Sequence, residues 1–160
     1  MSDRADATRP LIRTAVAADL PALQRVFRAA ALSNAGDVPL LRAHPEFLVF
    51  AGDGIAEGRT RAATTGSGGD RLLGFATVAA GTSGGLELED LFVDPPWRRR
   101  GIARALVLDA VETARQGGHQ QLSVWGNPHA LGFYRAAGFV EVSQVAVEVD
   151  RGLRLRLDLE

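Results

Sequence analysis

The pattern of apolar and polar positions divides the chain into alternating strands and helices. Residues 11–15 form a short strand-like run. Asp19 and Pro21 then stand where a helix N-cap and an early helical position belong, and Leu20, Leu23, Val26, Phe27 and Ala30 follow at helical spacing. That helix is expected to stop near 34–36, where Asn34 and Gly36 break the pattern. A shorter helix over Val38–Ala43 ends at His44-Pro45, and residues 47–51 read as a brief strand. Residues 52–70 are rich in glycine, threonine and serine and show no period. They are expected to form a long hairpin connection, since neither side of them could stand alone.

Residues 71–80 read as an apolar strand, 81–85 as a turn and 86–93 as a further strand that Pro95-Pro96 ends. Residues 100–116 carry Ile102, Leu106, Ala110 and Val111 on one helical face, with Gly117-Gly118 as the stop. A strand over 121–125 follows, then a helix over 127–137 with Asn127 as its cap and Pro128 at its first position. Residues 140–149 and 153–159 alternate and are expected to pair as a closing hairpin. The order is β-α-α-β-β-β-α-β-α-β-β, without internal repeat.

At 160 residues the chain fits a single domain, 1–160, with a polar tail over 1–9. A net charge of −1 speaks against general nucleic-acid or membrane-surface binding. Every one of the 18 basic residues is arginine, which removes lysine as a catalytic group. The absence of cysteine removes disulfides, thiolate metal sites and thiol nucleophiles. His44, His119 and His129 lack metal-ligand spacing, so no metal is expected. The polar N-terminus has no character of a signal peptide, and no apolar run approaches the ~20 residues of a spanning helix. A cytoplasmic location is the expectation.

The segment that carries chemistry is a strand, a turn and a helix start, residues 88–103. A helix start offers unpaired backbone N–H groups and the positive end of the helix dipole. Gly101 and Ala103 allow close approach to those amides, and Arg98, Arg99 and Arg100 add positive charge, a combination suited to a pyrophosphate. Arginine runs are usually only solvated charge; here the placement at a strand-to-helix turn is what distinguishes this one. The spacing is not that of a dinucleotide fold, and no lysine completes a P-loop.

Arg98-x-x-Gly101-x-Ala103 resembles the Q/R-x-x-G-x-G/A signature of the Gcn5-related N-acetyltransferases (GNAT). Val93-Asp94-Pro95 is similar to the V-x-P that precedes it in that family. Asn127, Ala130, Phe133 and Tyr134, followed by Gly138-Phe139, resemble the family's second motif. Alanine at 103 stands where glycine is commoner, which matters only if that position needs a positive φ. The resemblance implies an α/β (α+β) fold with a mixed, mostly antiparallel central sheet of about seven strands. About four helices would flank it, with a splay between the fourth and fifth strands.

The same resemblance implies acetyl-CoA as co-substrate and transfer to a primary amine by direct attack on the thioester. It places the pyrophosphate on Arg98, Arg99, Arg100, Gly101, Ile102, Ala103 and Arg104, the thioester and pantetheine near the backbone of Phe92 and Val93, and a further contact at Asn127. Tyr134, the lone tyrosine, is the candidate general acid for the leaving thiolate. Without the motif it would read as a core aromatic. Glu89 is the candidate base, with Asp90 and Glu87 as candidate contacts to a cationic acceptor; the alternative for each is a solvent-facing strand residue. The acceptor, a small molecule or a peptide amine, is not legible, and a homodimer is left open. A second reading is a non-catalytic acyl-CoA-binding sensor or regulatory domain, which a thiol-release assay separates from an enzyme.

Overall fold

The computed structural model describes residues 10–65, 71–81, 84–126, 130–142 and 153–159. The expected tail over 1–9, Asn127 with Pro128 and His129, and residues 143–152 of the closing hairpin lie outside them. Among the described residues seven strands form one sheet: β1 Pro10–Thr14, β2 Thr60–Thr65, β3 Leu72–Ala80, β4 Leu86–Val93, β5 Gln121–Gly126, β6 Val140–Glu141 and β7 Leu153–Asp158. Their order is β1-β2-β3-β4-β5-β7-β6. The ladders β1–β2, β2–β3, β5–β7 and β6–β7 are antiparallel, whereas β4 and β5 run parallel. The β4–β5 register covers Leu86↔Leu122, Glu87↔Ser123 and Leu88↔Val124, and β4 continues through 89–93. The helices are α1 Leu20–Leu32, α2 Val38–Ala43, α3 Asp53–Ala56, α4 Ile102–Gln116 and α5 Leu131–Ala136.

Two expectations fail in the first half. The second strand is β2, inside the stretch read as a connection, and 47–51 is not a strand. β2 carries Thr60, Ala62, Ala63 and Thr64 fully buried, so both of its faces are covered and no alternation marks it. Its side chains are too small to register as apolar, and buried threonine is tolerated because the Thr60 and Thr77 hydroxyls bond each other at 3.0 Å. The segment expected as a strand instead forms a 3₁₀ turn over Pro45–Leu48, and Phe47 and Val49 are exposed. The proline sets φ for that turn and withholds a ladder donor. The one-turn helix α3 was likewise hidden in the stretch from 52 on.

The residues group into two compact units, Met1–Thr77 with Asp90–Leu106, and Val78–Glu89 with Val107–Glu160. The first is built on Ala15, Leu23, Val26, Phe50, Ala62, Leu72 and Phe75, with Phe27 and Phe92 packed against them. Ring centroids of Phe27–Phe92 lie 4.9 Å apart and those of Phe75–Phe92 5.5 Å. Burying each such side chain contributes roughly 1.5–3 kcal/mol. Gly74 is required here, because a Cβ would stand 2.8 Å from the Phe92 carbonyl oxygen. In the second unit Leu122, Val124 and Leu155 are buried on one sheet face, and Tyr134 and Phe139 pack with ring centroids 5.4 Å apart.

Candidate active site

The candidate anion-binding turn begins where β4 ends, and every one of its parts belongs to the first unit. The Asp94 N–H donates to the Leu73 carbonyl at 2.8 Å, and its own carbonyl accepts from the Trp97 N–H at 2.8 Å, closing a 3₁₀ turn over Pro95–Trp97. Arg98 is extended, with φ −66° and ψ 158°. Arg99 (φ 62°) and Gly101 (φ 80°) then enter the left-handed region before α4 begins. Such excursions turn successive N–H groups toward one concave side, a geometry that receives anions. The first helical hydrogen bond of α4 runs from the Ala105 N–H to the Gly101 carbonyl at 3.0 Å. The N–H groups of residues 101–104 therefore have no acceptor within the helix.

Ala103 lies inside α4 and not at a positive φ, so alanine serves there as well as glycine would. The strained position is Arg99, which no motif marks. A non-glycine residue in this region costs about 1–2 kcal/mol and is typical of functional turns. No side chain lies within 4 Å of where a Cβ on Gly101 would be, so that surface is open to a ligand.

The arginines are not equivalent. Arg98, Arg99, Arg100 and Arg104 are all exposed. The Arg98 Nη2 donates to the Ser33 Oγ at 2.8 Å, just past the end of α1. The Arg100 guanidinium lies 4.8 Å from the Trp97 ring centroid, and Arg71 lies 5.9 Å from it. Trp97 is thus a platform for cations. Phe92 buries its ring among Phe27 and Phe75, which leaves its backbone as the part that could meet a ligand. Val93 is buried and Asp90 half-buried.

Tyr134, Glu87 and Glu89 belong to the second unit. Tyr134 sits on α5 at 6% exposure between Phe133 and Phe139. Burial pushes its phenol up to about 12, because the phenolate would lose its hydration. A Cβ on Gly126 would stand 3.2 Å from two atoms of this ring, so the glycine at the end of β5 makes room for it. Glu87 is held by Arg154, Nη1 to Oε1 at 2.6 Å, and the same guanidinium lies 5.0 Å from the Trp125 ring centroid. Trp125 is 47% exposed. Glu89 is exposed.

Sequence reasoning missed Asp94, Arg25 and Ser33. Asp94 is 4% exposed, and its carboxylate meets the Arg25 Nη1 at 3.0 Å and the Arg71 Nη2 at 3.9 Å. In the sequence it was only the variable middle of V-x-P; a charge next to two prolines carries no sign that it will be buried. His44 stacks on Phe47 and bonds Glu46, and His119 reaches the Gly84 carbonyl. Among the described residues no group of three or more His, Cys, Asp or Glu could hold a metal ion, and no helix is long and apolar enough to cross a membrane.

Comparison with known proteins places these features in a family. Residues 35–139 match the model of the "Acetyltransferase (GNAT) family". An uncharacterized N-acetyltransferase of Methanocaldococcus jannaschii is 40% identical over 58 residues, covering 34% of this chain and 26% of its own. The streptothricin acetyltransferase of Streptomyces lavendulae is 36% identical over 111 residues, covering 64% of this chain and 58% of its own. The chain thus spans only 26% and 58% of the lengths of these two curated relatives. The PaiA N-acetyltransferase of Thermoplasma acidophilum, solved in complex with coenzyme A, superposes with a TM-score of 0.72. It is 17% identical, with 93% of this chain and 98% of that one covered, a likeness of fold. With the family model matched over more than half of its length, this chain belongs to the acetyltransferase (GNAT) family.

Proposed function

We propose that the protein transfers an acetyl group from acetyl-CoA to a primary amine of a small molecule in the cytoplasm. The observation that carries this reading is the turn over 98–104. Two left-handed residues lead into a helix start with open N–H groups, surrounded by exposed arginines, and a pyrophosphate fits that donor set. Coenzyme A is the ligand of the structural relative from T. acidophilum, which supports the same co-substrate here.

In this reading the amides and guanidinium groups of residues 98–104 hold the diphosphate, and the backbone at Phe92 and Val93 orients the thioester carbonyl. The neutral amine attacks the carbonyl carbon, a C–N bond forms, and a backbone N–H steadies the oxyanion. As the C–S bond breaks, the thiolate takes the Tyr134 phenol proton, and the proton lost by the amine passes through Glu89 to solvent. The tyrosine recovers its proton from solvent before the next turnover. A raised phenol pKa keeps this donor loaded at every pH near neutrality. Asp90 would attract a cationic acceptor, and Glu87, already paired with Arg154, would do so only through that pair. Asn127 lies outside the described residues and is retained as a contact to the pantetheine on its motif alone. The acceptor of the S. lavendulae relative, streptothricin, supports a small-molecule amine over a protein.

The test is a thiol-release assay with acetyl-CoA and a panel of amines, streptothricin and polyamines among them, beside calorimetric titration with CoA. Release with at least one amine supports transfer. CoA binding without release for any amine favours the sensor reading, and absence of binding ends the proposal.

A further inference from the structure

We propose that Asp94 is a positioning residue for the co-substrate: with Arg25 it fixes the turn whose amides receive the diphosphate. The inference rests on the reading of that turn given above. Asp94 is where three elements are tied. Its N–H bonds the Leu73 carbonyl on β3, its carbonyl receives the Trp97 N–H, and its carboxylate is buried against Arg25 of α1. Arg25 also donates through Nη2 to the Leu72 carbonyl at 3.1 Å, so one guanidinium clamps helix, strand and turn together.

A second tie runs parallel to the first. Ser33 follows α1 about two turns beyond Arg25, roughly 12 Å along the axis. Its hydroxyl donates to the Ala30 carbonyl at 2.6 Å and accepts from Arg98 at 2.8 Å. The first helix therefore grips the turn at both 94 and 98, immediately before the left-handed residues 99 and 101. Strained backbone of that kind persists only where its surroundings over-determine it. The ion pair between the buried Asp94 and the half-exposed Arg25 is the part of those surroundings that sequence motifs do not supply. Asp94→Asn removes the charge on which Arg25 and, at 3.9 Å, Arg71 converge, and loss of Arg25 leaves the buried carboxylate only the more distant Arg71; either way the turn is free to relax out of the shape that gathers its N–H groups.

Asp94→Asn keeps the size of the side chain and removes the charge. It is expected to raise the CoA dissociation constant and the KM for acetyl-CoA about tenfold while kcat at saturation stays within about twofold, a tenfold change being what ~1.4 kcal/mol produces. Arg25→Gln, altered on the more exposed side of the pair, should do the same, and it carries the test if Asp94→Asn does not fold. The double variant should be no worse than the poorer single one, as expected for two groups acting as one unit. A merely structural role would lower the melting temperature and leave KM for acetyl-CoA unmoved; that result for both variants overturns the proposal. So does a fall in kcat with KM unchanged. If the unaltered protein itself bound no CoA, the reading of the turn would fail first, and that outcome is separate.

Discussion

Tyr134 shows what one residue's surroundings decide. It is the single tyrosine of the chain, and its burial beside Phe133 and Phe139 holds the phenol at about 12. An unfolded tyrosine ionises near ~10. Below pH ~10 both states keep the proton and the group makes no pH-dependent contribution. As pH rises from ~10 toward 12, the unfolded chain loses its proton first, so stability falls, by up to about 3 kcal/mol. Tyr134→Phe should abolish that alkaline loss in urea titrations between pH 9 and 11.5. The same variant should reduce kcat about a hundredfold with little change in KM for acetyl-CoA, the size usual for a positioned acid. Undiminished turnover would remove Tyr134 from the reaction. The residue itself was legible because a motif marked it; its depressed acidity was not, since that arises from neighbours brought in by folding. Arg99 illustrates the converse. Its side chain type says nothing of a left-handed backbone, which the turn imposes and the sequence leaves unmarked.

At the scale of elements, legibility follows side-chain size. α1, β3, β4 and α4 present large apolar groups at a clear period and stand close to where periodicity puts them. β2 presents threonine and alanine on two covered faces, and periodicity has nothing to count. What holds such a strand is close packing together with the hydroxyl pair Thr60–Thr77. Thr60→Val conserves the shape but leaves the Thr77 hydroxyl buried without that partner, and is expected to destabilise by about 1–3 kcal/mol. Thr60→Val combined with Thr77→Val should be less harmful than the sum of the two single changes, because both ends of the bond are then gone. Urea midpoints of the three variants test this, and strict additivity would mean that the pair does not act as a pair. Gly54 belongs to the same packing: a Cβ there would stand 2.8 Å from the Thr77 Cγ2 and 2.9 Å from the Thr60 Oγ1.

At the scale of the molecule, the motifs were legible along the chain, but the division into two units was not, because it depends on which residues meet after folding. The candidate site was readable only where a motif marks it: 98–104 and Tyr134 stood out, whereas Arg25, Ser33 and Asp94 carry no motif and are brought to the turn only by the fold. The division has a consequence for pH. In the first unit, the Arg13 guanidinium grips the Asp19 carboxylate at 2.7 and 2.9 Å and, with the Val16 N–H, holds its pKa below the usual aspartate value. A lowered carboxyl contributes stability above the unfolded value near ~4 and loses it as pH falls further. In the second unit, Tyr134 contributes the opposite limb, lost above ~10. Each unit also carries one tryptophan, Trp97 in the first and Trp125 in the second. Trp125→Phe leaves the first unit's reporter alone, and Trp97→Phe leaves the second's. Acidification from pH 5 to 3 should therefore lower the urea midpoint read by either tryptophan, and Asp19→Asn should shrink that acid sensitivity while leaving the alkaline limb in place. Tyr134→Phe should remove the alkaline limb past ~10 and leave the acid one. An acid limb undiminished in Asp19→Asn would show that it comes from other carboxylates, and its assignment to the Arg13–Asp19 pair would be wrong.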